Sequence, residues 1–118
     1  MTDSGSELCN VHWTGPDHTT AVVVAAGDID LRHSAEFQRV LLEVLQAGPK
    51  RIVVDLSGVG YMDSSGVASL VKLLARVRRR QVDLKLAGMT RRVRSVFEIT
   101  RLDTVFEIFA SVQEALAS

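Results

Sequence analysis

The sequence predicts an α/β domain: a small mixed β-sheet of about five strands packed with about four helices, in the order β-β-α-β-α-β-α-β-α. Three observations carry that expectation. Short β-branched runs such as Thr20 to Ala26 (TAVVVAA) and Ile52 to Leu56 alternate with stretches whose apolar residues recur every three or four positions. Gly and Pro punctuate the boundaries, as at Gly15-Pro16 and Gly48-Pro49. The length of 118 residues suits one domain able to bury a core without staples.

In chain order, residues 1–7 are small and polar and are expected to fray. Cys9 to Thr14 alternates loosely, Gly15-Pro16-Asp17 reads as a turn, and Thr20 to Ala26 completes an opening hairpin. Gly27-Asp28-Ile29-Asp30 leads into a helix with Phe37, Val40, Leu41, Val44 and Leu45 on one stripe, and Gly48-Pro49 stops it. Ile52 to Leu56 reads as a buried strand bounded by a turn at Ser57-Gly58. A second helix starts at Ser64, with Asp63 as its N-cap and a stripe of Val67, Leu70, Val71, Leu74 and Val77. Val82 to Ala87 alternates apolar and polar, so one face of that strand is expected to be wetter. Thr90 can cap a third helix whose Val93, Val96, Phe97 and Thr100 share a face. Thr104 to Phe109 reads as a last strand and Ser111 to Ala117 as a final helix. Helices between successive strands imply parallel pairs. The loops at 27–30 and 57–65 then lie at the carboxyl edge of the sheet, where function concentrates in open α/β folds, and are expected to be neighbours.

Composition excludes several classes. No apolar run approaches the roughly 20 residues that span a bilayer, and MTDSGSELCN lacks the regions of a signal peptide. The single Cys9 allows no internal disulfide and fits a reducing compartment, so a cytoplasmic protein without membrane insertion is expected. Formal charge is zero but uneven: four Lys/Arg against nine Asp/Glu in residues 1–71, and ten against two in residues 72–101. That basic segment either solvates outer helix faces or meets an acidic partner; zero net charge argues against direct nucleic-acid binding.

Catalytic signatures are missing. Around Ser64 the sequence is Met62-Asp63-Ser64-Ser65-Gly66, without the first Gly of a nucleophile elbow. A dinucleotide fingerprint from Gly58-Val59-Gly60 would need Gly where Asp63 stands, and there is no phosphate loop. His12, His18 and His33 have no metal-ligand spacing to each other or to Cys9, and Glu36, Glu43 and Asp55 form no carboxylate pair. No enzyme activity, cofactor or metal is expected.

Asp63-Ser64-Ser65 has two readings. One is a well-capped helix start with small residues for close packing. The other is a switch, because a phosphoryl group on a helix N-terminus gains about 1 kcal/mol from the dipole, rising toward ~2 when partly buried. Adjacent Asp63 opposes part of that gain. The added charge of nearly −2 would have to be desolvated by any docked partner, so the contact would be lost.

Val59 to Val67 (VGYMDSSGV) resembles the signature of the STAS domain, the fold of bacterial anti-sigma factor antagonists. Gly27-Asp28-Ile29-Asp30-Leu31 followed by Ala35 resembles that family's segment before its first helix. Leu86-Ala87-Gly88, Val93 to Phe97 and Leu102 to Phe106 are also of its type, so the likeness runs from about residue 8 to the C-terminus. The resemblance implies partner switching. The unphosphorylated antagonist binds an anti-sigma factor, usually a serine protein kinase of the GHKL type, and so frees a sigma factor. The kinase phosphorylates the first serine of D-S-S-G, here Ser64, with Ser65 next best, and a metal-dependent phosphatase reverses it. The implied partner surface is Asp28, Asp30, Leu31, Tyr61, Met62, Asp63, Ser64, Ser65 and Gly66, with the second helix. The ATP belongs to the kinase. An alternative within the family is a stand-alone regulatory subunit docked on the ATPase subunit of an ABC-type lipid transporter, or a part of a stress-signalling assembly, without phospho-switching. Two departures stand out: Arg101 where the family often has Gly, and Arg91-Arg92 in the first turn of the third helix, opposing its dipole.

Overall fold

The computed structural model of the chain describes residues 7–118; the expected frayed start lies almost wholly outside them. Five strands and four α-helices follow the expected order. Strands β1 (Cys9–Thr14), β2 (Thr20–Ala26), β3 (Arg51–Gly58), β4 (Asp83–Ala87) and β5 (Glu107–Phe109) form one sheet in the spatial order 1-2-3-4-5. β1 pairs antiparallel with β2, and the remaining pairs are parallel. Helices are α1 (Ser34–Gln46), α2 (Ser64–Arg80), α3 (Arg91–Ile99) and α4 (Val112–Ala117).

Sequential order with crossovers of one hand places the connecting helices on one face. The main core gathers there: Phe37, Val40 and Leu41 of α1, Leu70 and Leu73 of α2, and Val93 and Phe97 of α3 against Val23, Ile52, Val54 and Leu86. α4 covers the opposite face, where Ala115 meets Val22, Val53 and Ala87. Parallel strands buried on both faces need continuous apolar runs, which is why β2 and β3 carry them.

The local signals hold. Gly48, at φ 81, ends α1 in the left-handed region. The Thr90 hydroxyl accepts from the Val93 N–H, and the Ser111 hydroxyl from that of Glu114.

Four expectations are corrected. β3 does not stop at a Ser57-Gly58 turn: Gly58 still pairs with Ala26, across a bulge after Val24. The buried stripe of α2 runs through Gly66, Ser69, Leu70, Leu73 and Val77, leaving Val71 41 % exposed. Gly and Ser carry no hydropathy signal, yet small residues are what let α2 approach its neighbours. The last strand is shorter than Thr104 to Phe109. Leu102–Thr104 forms a 3₁₀ turn, and Phe106 turns into the core edge-on to Phe97, ring centroids 5.6 Å apart. The polar member of β4 is not wet: Lys85 is buried, its Nζ 3.4 Å from Asp83 and 3.2 Å from Glu107.

Arg101, the first of the two departures, sits in the left-handed region at φ 63 and ψ 16, a conformation that favours Gly. An L-residue there costs about 1–2 kcal/mol, partly offset by the unfolded-state entropy that Gly would add. Arg101→Gly is therefore expected to stabilise the fold by about 0.5–1 kcal/mol, read as a higher urea midpoint at unchanged slope.

Candidate functional site: two stitched loops and the start of α2

The loops after β2 and β3 leave neighbouring strands at their carboxyl ends, and backbone bonds sew them together. Gly27 N–H donates to the Gly58 carbonyl (2.9 Å) and Ile29 N–H to that of Tyr61 (2.9 Å). Asp63 N–H donates back to the Ile29 carbonyl (3.2 Å), so Ile29 and Met62 form an isolated parallel bridge. The expected neighbours are in direct contact.

Asp63 serves both loops. Its Oδ1 accepts from the N–H groups of Ser65 (2.9 Å) and Gly66 (3.4 Å) and from the Ser65 hydroxyl; its Oδ2 accepts from Leu31 N–H (3.2 Å). The Ser65 hydroxyl bond, and after it the backbone donors, hold the Asp63 carboxyl below its ordinary value of 3.8, with burial opposing in part. Asp30 is likewise depressed, first by the Arg32 guanidinium, whose Nη2 lies 2.9 Å from Oδ2. Its carbonyl accepts from the His33 and Ser34 N–H groups at the entry to α1.

Because both carboxyls lie below their unfolded value, their stabilisation is complete above that value and lost as pH falls through the lower folded values. Urea unfolding between about pH 6 and pH 2 is expected to show a stability loss beginning only below about pH 4, and Asp63→Asn is expected to flatten that limb.

The two serines differ. Ser65 is half-buried and its hydroxyl is engaged by Asp63. Ser64 is exposed, and no hydrogen bond of its hydroxyl occurs among the described residues. On the two loops Asp28 is exposed, Leu31 is 78 % exposed and Tyr61 is 40 % exposed, while Asp30 and Asp63 are half-buried. Met62 and Gly66 belong to the expected surface only indirectly. Met62 is 1 % exposed and Gly66 is buried, so they hold the loops in place beneath the face a partner could touch.

Sequence reasoning missed the groove beside Ser64. Ser64, Val67, Ala68, Val71 and Lys72 of α2 face Val96 and Thr100 of α3 across a mostly apolar cleft of about 430 Å³. α3 is tied to the site at its start: the Thr90 hydroxyl lies 3.2 Å from the Val59 carbonyl, and the Arg92 guanidinium stacks 5.7 Å from the Tyr61 ring centroid. That contact gives Arg92 a place that its helix dipole does not. Val71, which periodicity assigned to the core stripe, lines this cleft instead, and hydropathy alone held no signal for it.

Among the described residues no group of three or more His, Cys, Asp or Glu is arranged to hold a metal, and no helix is long and apolar enough to cross a membrane.

An anti-sigma-B factor antagonist of Staphylococcus aureus is 31 % identical over 99 residues, covering 84 % of this chain and 91 % of the relative. The crystal structure of a putative anti-sigma factor antagonist from Thermotoga maritima superposes with a TM-score of 0.86 at 18 % identity, covering 94 % of this chain and 93 % of that one. The Bacillus cell fate determinant SpoIIAA in its phosphorylated form gives 0.71 at 18 % identity, over 92 % and 96 %. The STAS domain model matches residues 14–115, from the end of β1 into α4, and this chain belongs to the STAS domain family.

Proposed function

We propose that this protein is an anti-sigma factor antagonist working by partner switching. Unphosphorylated, it docks on an anti-sigma factor that is also a serine protein kinase. Phosphorylated on Ser64, it is released, and a cognate phosphatase resets it. The carrying observation is the contrast at the start of α2: Ser64 is exposed with an unengaged hydroxyl at the mouth of the α2–α3 cleft, while Ser65 is tied to Asp63. The name of the S. aureus relative supports the antagonist role, and the phosphorylated form of SpoIIAA supports a fold that carries phosphate without being lost.

Leu31 and Tyr61 stand exposed on the two loops stitched to the start of α2, and Ser64 lines the apolar α2–α3 cleft, so a partner covering this face has to desolvate whatever stands at position 64. A hydroxyl is desolvated cheaply; a phosphate dianion beside the Asp63 carboxylate is not.

The test is affinity capture from the native cell lysate with wild type and Ser64→Asp side by side, the captured proteins being identified by mass spectrometry. A kinase-fold protein retained by wild type and lost with Ser64→Asp is the expected result. Transporter ATPase subunits retained equally by both would make Ser64 a helix start only, and the chain a regulatory subunit.

A further inference from the structure

The sheet has two edges, and they are guarded differently. β5 is three residues long and opens with exposed Glu107. β1 is six residues long, CNVHWT, with no charged residue, proline or bulge within it, although natural sheets blunt exposed edges by such means. Among the described residues nothing pairs with its outer side.

The hydrogen-bond phase of that edge can be read. Ala26 N–H donates to the Leu8 carbonyl (2.9 Å), which marks Leu8 and Ala26 as a hydrogen-bonded antiparallel pair. Such pairs alternate, so Asn10, His12 and Thr14 bond inward to Val24, Val22 and Thr20. The backbone groups of Val11 and Trp13 then point outward. Their side chains share the helix-covered face with buried Cys9: Val11 packs against the main core, and Trp13 is 36 % exposed. Asn10 and His12 are exposed on the other face.

We propose that β1 pairs antiparallel with β1 of a second copy of this chain about a two-fold axis at Val11, joining two sheets into one of ten strands. The strand is self-complementary in this register. Val11 stands opposite Val11 of the second copy and Trp13 opposite Cys9, so apolar meets apolar. On the other face Asn10 stands opposite His12, and no charged residue of β1 opposes a like charge. Shifting the register by one residue would set the apolar face against the polar one. The absence of charge from the edge, set against its presence on β5, is what favours a second copy.

The test is sedimentation equilibrium of the full chain over a wide concentration range. Wild type is expected to pass from one 12.9 kDa chain to two. Val11→Pro removes an outward N–H and leaves the bonds to β2; it is expected to raise the dimer dissociation constant at least about tenfold, two lost hydrogen bonds per dimer. Trp13→Lys is expected to act likewise without touching the backbone, with circular dichroism reporting that each variant stays folded. A wild type that stays monomeric throughout overturns the proposal. So does a dimer that folded Trp13→Lys and Val11→Pro both leave intact.

Discussion

Ser64→Asp is expected to weaken binding of the partner kinase about a hundredfold, roughly 2.7 kcal/mol, while Ser64→Ala binds like wild type and takes up no phosphate. The asymmetry follows from where the hydroxyl sits. It caps nothing, because Asp63 already accepts from the first-turn amides, so its removal costs the fold little. A carboxylate in its place stands next to Asp63 and has to be stripped of water when the face is covered. Phosphate incorporation by the purified kinase, followed with labelled ATP, and titration calorimetry read the two halves separately. Ser65→Ala is expected to be phosphorylated still. Its loss removes the side-chain bond that most depresses Asp63, so its signature is instead a shift of the acid limb of stability. Undiminished phosphorylation of Ser64→Ala would move the site elsewhere.

Gly66→Ala is expected to destabilise the fold by about 2 kcal/mol, lowering the melting temperature by roughly 5–10 °C. Helix propensity alone points the other way, since Ala in a helix is better than Gly by about 1 kcal/mol. Packing decides it. A Cβ at position 66 would stand 2.7 Å from Met62 Cγ, 2.8 Å from the Ile29 carbonyl oxygen and 2.9 Å from Ile29 Cγ2. The Met62 side chain is buried without room, and the Ile29 carbonyl is the acceptor for Asp63 N–H, so yielding means parting the two loops. Gly66→Val is expected to cost more. Gly60→Ala is the control: its Cβ would meet nothing closer than Asp28 Oδ1 at 3.8 Å, so calorimetric unfolding should leave it near wild type. A neutral Gly66→Ala would show that the bridge between Ile29 and Met62 gives way cheaply.

Both results bear on how the site could be read. The cap at Asp63 and the helical start at Ser64 were legible because capping is settled within one turn of chain. The small residues at 64–66 pointed to close packing, but what Gly66 packs against depends on Ile29, from a different strand's loop. The α2–α3 cleft was hidden for a related reason. Periodicity located an apolar stripe, yet Val71 could be assigned to the core or to the surface only once α2 had been rotated onto Gly66, Ser69 and Leu73.

The amino-acid sequence by itself determined the element order, the apolar runs of β2 and β3, the caps at Asp63 and Thr90, the stop at Gly48 and the neighbourhood of the two loops. These follow from hydropathy period, from side-chain competition for nearby backbone groups and from the connection rules of parallel sheets. Only the tertiary structure decided that β1 takes an edge, that β3 pairs on through Gly58, that β5 shortens to three residues and that Lys85 is buried. Each of those turns on which strand lies alongside and for how many residues, and that is set by contacts between segments distant in the chain, which no local window contains.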